Sequence, residues 1–137
     1  PVFTPEEAEK VNLDYESVQA AGSMLGSGGI IVMDESVCMV WAITNLLHFY
    51  MHESCGQCSP CREGTGWLYK MMCEIEAGRG QPGDWEKILD ICDNMEMKTV
   101  CPLAAAATMP TTSYYKKFTD EFAAHIEEKR CPLRISR

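Results

Sequence analysis

The residues with the most chemical reach in this sequence are thiols. Cys55, Cys58 and Cys61 fall at even two-residue gaps within Glu53-Ser54-Cys55-Gly56-Gln57-Cys58-Ser59-Pro60-Cys61-Arg62-Glu63-Gly64, and Cys101-Pro102 follows forty positions on. Such spacing lets one loop wrap three thiolates around a small volume. Cubane iron–sulfur clusters take four thiolates, and a tight triplet with a remote Cys-Pro supplies them. Disulfides fit poorly, because a triplet leaves one sulfur over and two-residue gaps close only small, strained loops. Zinc stays open on spacing alone, since it too takes four Cys or Cys/His ligands. A zinc site can be drawn as His48-x3-His52-x2-Cys55-x2-Cys58, but that drawing leaves Cys61 and Cys101 without a role.

Other chemistries lack their residues. The chain carries no nucleophile elbow, no His-Glu-x-x-His helix and no paired-carboxylate signature. The cysteine spacing also departs from the Cys-x3-Cys-x2-Cys pattern of radical chemistry on adenosylmethionine. Four protein ligands would close the coordination sphere, which favours one-electron transfer over substrate activation. The glycines of Gly22-Ser23-Met24-Leu25-Gly26-Ser27-Gly28-Gly29 precede an apolar run instead of following a strand, and no Gly-Lys-Ser/Thr completes a phosphate loop.

The run HESCGQCSPCREG (residues 52–64), followed by Cys101-Pro102-Leu103, resembles the cluster-binding segment of the NADH-binding flavoprotein subunit of respiratory complex I. Similar segments occur in diaphorase-type subunits of NAD-linked hydrogenases and formate dehydrogenases. The resemblance implies a [4Fe-4S] cluster on Cys55, Cys58, Cys61 and Cys101. It implies one-electron transfer from reduced FMN to further clusters, within an enzyme whose class, NADH:quinone oxidoreductase, belongs to the whole assembly. FMN and NADH would bind in a domain upstream of these residues. Partners would be other subunits of the assembly, an adjacent iron–sulfur subunit above all. The chain would lie on the cytoplasmic or matrix side, peripheral to the membrane through its complex. One departure is local: where the family continues CPLGDAA and places a tryptophan before the proline, this chain has Cys101-Pro102-Leu103-Ala104-Ala105-Ala106-Ala107-Thr108-Met109-Pro110.

Composition narrows the classes of partner, although an acidic surface by itself can serve solvation alone. The 137 residues carry 20 acidic and 12 basic side chains, a formal net charge of −8. That balance disfavours nucleic acid, whose phosphates need clustered Lys and Arg, and suits docking to basic protein patches. No apolar run reaches the length of a membrane span, and no signal-peptide pattern opens the sequence. Eight cysteines without such a signal point to metal chemistry in a reducing compartment. The chain begins at Pro1 without methionine, as a fragment or processed piece would.

The elements that must position the thiols read as helices. Val37, Val40, Trp41, Ile43, Thr44, Leu47 and Met51 recur at three- and four-residue steps through about His52. Ser59 as N-cap and Pro60 at the first position open a second helix carrying Trp67, Leu68, Met71, Met72 and Ile75. A third runs from Trp85 to about Met95. Leu103 to Met109 suggests a short alanine-rich helix. Pro110-Thr111-Thr112 would cap a last helix bearing Tyr114, Phe118, Phe122 and Ile126. The expected fold is mainly α, a four-helix bundle (residues 34–137) holding the cluster at one end. Residues 1–33 hold two helical turns near Asp14–Ala21 and a strand, Ile30-Ile31-Val32-Met33. LDYESVQAAGSMLGSGGIIVMDE is similar to the closing part of a soluble-ligand-binding β-grasp domain, so this segment reads as its remnant. It should pack on the helices, pair with a partner or lack order.

Among the remaining residues, Gly56 and Gly64 would keep side chains away from a cluster, and Arg62 would place positive charge beside it or face solvent. Cys38, Cys73 and Cys92 read as small buried hydrophobes within helices. Cys131 reads as a spare thiol.

Overall fold

Thr4 and Asp14 each start a short helix by side-chain capping. Thr4 and Glu7 form a capping box at α1 (Pro5–Ala8), and Asp14 accepts from the Ser17 amide at 2.7 Å to open α2 (Tyr15–Ala20). The computed structural model describes residues 1–133, and among them there are seven helices and no strand. The five longer ones are α3 (Met39–Glu53), α4 (Ser59–Glu76), α5 (Asp84–Met95), α6 (Leu103–Lys117) and α7 (Thr119–Glu127).

These five share one core. α3 packs on α4, α6 and α7; α4 also meets α5, α6 and α7; and α6 touches both α5 and α7. The apolar stripes expected from periodicity supply the buried residues: Val40, Ile43 and Leu47 from α3, Leu68, Met72 and Ile75 from α4, and Ile88 and Cys92 from α5. Each of the aliphatic and methionine side chains among them, fully buried, contributes roughly 1.5–3 kcal/mol. Trp41 and Trp67 are exceptions, for both are exposed, at 42% and 53%, on α3 and α4.

The same five helical segments were expected from the sequence, four of them as the bundle, but the break between the last two was expected at Pro110. It sits buried inside α6 rather than starting a helix. A proline there removes one N–H bond, but burial of Ala104, Ala107, Thr108 and Thr111 in the same helix outweighs the loss. Thr111 and Thr112 hydroxyls also donate back to the Ala107 and Thr108 carbonyls at 2.8 and 3.0 Å. The true break falls at Phe118 (φ −126°, ψ 34°), which ends α6 and begins α7.

The strand expected at Ile30–Met33 is absent. Ile31 and Val32 are 81% and 90% exposed, and a β-branched run forms a strand only where a neighbour supplies hydrogen-bond partners. The N-terminal arm does pack: the Val2 amide donates to Ser113 Oγ at 3.2 Å, and Lys117 Nζ donates to the Val2 carbonyl at 2.7 Å and to Glu7. Met33 lies against the core as well.

Close helix approach depends on small residues. A Cβ on Gly64 would come within 2.4 Å of Met95 Sδ, so the start of α4 and the end of α5 meet through that glycine. Gly64 thus serves helix packing, where the sequence suggested cluster clearance. The α3–α4 and α5–α6 connections consequently lie at one end of the body.

Candidate metal centre

That end gathers the cysteine triplet. Cys55 is exposed, Cys58 partly buried and Cys61 buried, so the loop offers its sulfurs from solvent inward. Gly56 makes the tight turn between the first two, at φ +80°, a conformation that side-chain-bearing residues rarely adopt. Arg62 crosses this loop and donates from its guanidinium to the Gly56 carbonyl at 3.1 Å while pairing with Glu63 at 2.8 Å. It pins the loop with a half-exposed, partly neutralised charge.

α4 starts one residue earlier than its Ser-Pro signal suggested, with Cys58 as N-cap and Ser59 as first helical residue. No side chain caps it. The first-turn amides and the positive helix end therefore remain available to a negatively charged group beside Cys58 and Cys61. Ser54 Oγ lies 3.3 Å from Cys61 Sγ.

Cys101 comes from the other connection at this end. The loop after α5 turns through Met97 (φ +55°) and lays the Val100 amide against Cys58, donating to its Sγ at 3.5 Å. Cys101 is the next residue and is exposed, with Thr99 Oγ1 donating to its carbonyl at 2.9 Å. Pro102 then caps α6. The alanines that replace the family's Gly-Asp pair continue that helix, and Ala104 and Ala107 are fully buried.

Four thiols match the donor set of an iron–sulfur cubane, which takes thiolates. The histidine-based zinc drawing is not assembled. His48 packs its ring on Tyr69 at 4.9 Å between centroids, and His52 is exposed and paired with Glu53 at 3.0 Å.

A second sulfur-rich group lies elsewhere, and the sequence reading missed it. Cys38 is the N-cap of α3, not an interior residue, and its Sγ accepts from the Trp41 amide at 3.3 Å. The same sulfur stands 3.4 Å from His125 Nε2. Cys131, read from sequence as a spare thiol, is buried beside both. Burial pushes the Cys38 thiol up to about 12. Cys92 behaves as expected, buried in α5 and likewise pushed up to about 12 by burial and then by Asp93 and Glu96.

An all-helical body carrying a cysteine triplet and a Cys-Pro at one end defines an iron–sulfur-binding module. The family model for the NADH-ubiquinone oxidoreductase-F iron-sulfur binding region matches residues 41–125, and the chain belongs to that family. The cofactor of the family is a [4Fe-4S] cluster. The F 2 subunit of the NADH-quinone oxidoreductase of Rhizobium meliloti is 48% identical over 129 residues, 94% of this chain and 31% of that protein. The corresponding F subunit of Streptomyces coelicolor is 48% identical over 133 residues, 97% and 29% of the two chains. That of Rickettsia bellii is 42% identical over 127 residues, 93% and 30%. The chain spans under a third of the length of these relatives. None of its described helices is long and apolar enough to cross a membrane.

Proposed function

We propose that this chain is the cluster-holding portion of an F-type subunit of an NADH-quinone oxidoreductase, and that Cys55, Cys58, Cys61 and Cys101 are the four ligands. When bound, a [4Fe-4S] cluster supplies reversible uptake of single electrons. The observation that supports the ligand assignment is the Val100 amide on Cys58 Sγ, a contact from the residue before Cys101 to the triplet although 39 residues lie between Cys61 and Cys101.

The chain's own residues then have separable tasks. Cys58 and Cys61 hold from the start of α4, where helix amides offset negative charge on sulfur. Cys55 and Cys101 hold from the solvent side. Gly56 and Arg62 fix the loop so that little rearrangement accompanies a change in charge. The five-helix core behind Cys61 excludes water from one side.

In the whole protein the proposed role is a relay between reduced FMN and further clusters. FMN and NADH would be held by parts of the protein outside this chain, and a neighbouring iron–sulfur subunit would be the partner. The assembly would place it on the cytoplasmic or matrix face. Residues 1–33 would be the end of a β-grasp domain and residues 34–137 the cluster domain.

Anaerobic purification, iron and sulfide analysis, and low-temperature EPR after dithionite reduction test this reading. About four iron and four sulfide per chain are expected, with the reduced signal lost in Cys58→Ser and Cys101→Ser. Zinc that persists through anaerobic iron–sulfide reconstitution at these cysteines, with no labile sulfide, would overturn it.

A further inference from the structure

We propose that Cys38, His125 and Cys131 form a second metal site, a zinc site distinct from the cysteine triplet. Cys38 and Cys131 lie outside the residues 41–125 that the family model matches.

The donor atoms already stand at coordination spacing. Cys38 Sγ, His125 and Cys131 Sγ all lie within 4.8 Å of one another, and all three residues are buried. Tetrahedral zinc with bonds of about 2.3 Å to sulfur and 2.0 Å to nitrogen places those two atoms roughly 3.5 Å apart. The observed separation of Cys38 Sγ and His125 Nε2 is 3.4 Å. Cys131 Sγ, within 4.8 Å of both, is the third donor of a three-ligand face.

The outer contacts orient the donors as zinc requires. His125 Nδ1 lies 2.8 Å from the Glu121 carbonyl, an acceptor only, so Nδ1 carries the proton and Nε2 presents its lone pair to Cys38. Glu121 itself accepts from the Met39 amide at 2.8 Å, fixing α7 to the first turn of α3. The Trp41 amide supports the Cys38 sulfur. Cys131 is held by a special backbone path: Lys129 adopts φ +54°, and its carbonyl presses on Gly78, where a Cβ would come within 2.0 Å.

Charge and ligand softness select the ion. Two thiolates and a neutral imidazole cancel the charge of a divalent cation, so the loaded site is neutral in its buried surroundings. Sulfur with imidazole suits zinc over magnesium or calcium. A cleft of about 190 Å³ lined by Ser36, Val37, Cys38, Trp41 and Leu133 borders the site at Cys38, the side from which water would take the fourth position. The site lies at the start of α3 and the triplet follows its end. Fifteen helical residues separate them, about 22 Å at 1.5 Å per residue. Each can therefore be emptied without disturbing the other.

The test uses the chain with its iron–sulfur site reconstituted, and zinc as the probe. One chelator-resistant zinc per chain is expected. Its X-ray absorption should show two sulfurs at about 2.3 Å with nitrogen or oxygen completing the shell. Cys131→Ser should weaken zinc binding at least about 100-fold, while iron, sulfide and the EPR signal stay unchanged. His125→Gln supplies a second variant should the first unfold, with circular dichroism as the check. A four-sulfur zinc shell would mean misloaded triplet cysteines and would overturn the proposal. So would absence of zinc in the folded chain, zinc retained in both variants, or a Cys38–Cys131 disulfide found by mass spectrometry after anaerobic purification.

Discussion

The Val100 amide donates to Cys58 Sγ at 3.5 Å, joining the loop after α5 to the N-cap of α4. Through this contact a backbone group two residues from Pro102 reaches a proposed ligand sulfur. An N–H aimed at sulfur stabilises its more negative state, so the bond should bias the site toward reduction. Val100→Pro removes the donor. With the cluster bound and native circular dichroism, the reduction potential should fall by about 40 mV, the one-electron equivalent of roughly 1 kcal/mol for a hydrogen bond. An EPR-monitored redox titration reads this directly, and an unchanged potential would show that the bond does not tune the site.

Gly64 should tolerate no Cβ cheaply. Gly64→Ala drives a methyl into Met95 Sδ, and Met95 is buried. Such overpacking costs about 1–3 kcal/mol. Because the obstacle is a side chain, Gly64→Ala combined with Met95→Ala should be less destabilised than the two single changes summed. Urea denaturation of the four proteins measures the coupling, and strict additivity would show that the contact is not the cause.

Gly78→Ala meets backbone instead. Its φ of +72° and the Lys129 carbonyl both oppose a side chain, and neither can rotate away. A loss of about 2 kcal/mol or more is expected. The same change should loosen the segment through Cys131, so that this thiol reacts faster with a maleimide under native conditions. Peptide mapping of the label checks it, and protection equal to wild type would refute the link.

Cys92 gives a pH dependence with a definite sign. In the folded chain its thiol stays neutral to about 12, while the unfolded chain ionises near 9.0. Between those values the unfolded state binds fewer protons than the native one, so stability falls as pH rises. The slope from this one group approaches about 1.4 kcal/mol per pH unit. Below pH 9 the contribution is fully present. Comparing denaturation of wild type and Cys92→Val at pH 8.5 and pH 10.5 isolates it, because the variant should lose less stability over that interval.

The parts of this molecule that were legible in sequence are those that rest on local pattern. Val40, Ile43 and Leu47 announce α3 by spacing, Pro60 marks the start of α4, and the cysteine triplet needs no tertiary information. Pro110 misled because its usual effect on helices yielded to burial within α6. Ile30–Met33 misled for the opposite reason, since a strand's hydrogen bonds belong to a neighbour that α-helical residues do not provide. Cys38, His125 and Cys131 were invisible as a group. Cys38 and Cys131 are brought together only when α7 docks on the start of α3, and no spacing rule spans that distance.

The exposed Ile30-Ile31-Val32 run has a practical consequence for anyone handling this chain by itself. It is β-branched, uncharged and flanked by Gly28-Gly29, and among the described residues there is no sheet for its backbone to join. Two molecules meeting there can satisfy each other's amides, and a third can add to the pair. Loss of soluble material should accordingly steepen with concentration, and a lysine at Ile31 should slow the clouding of a stored sample more than the same charge placed anywhere on α3.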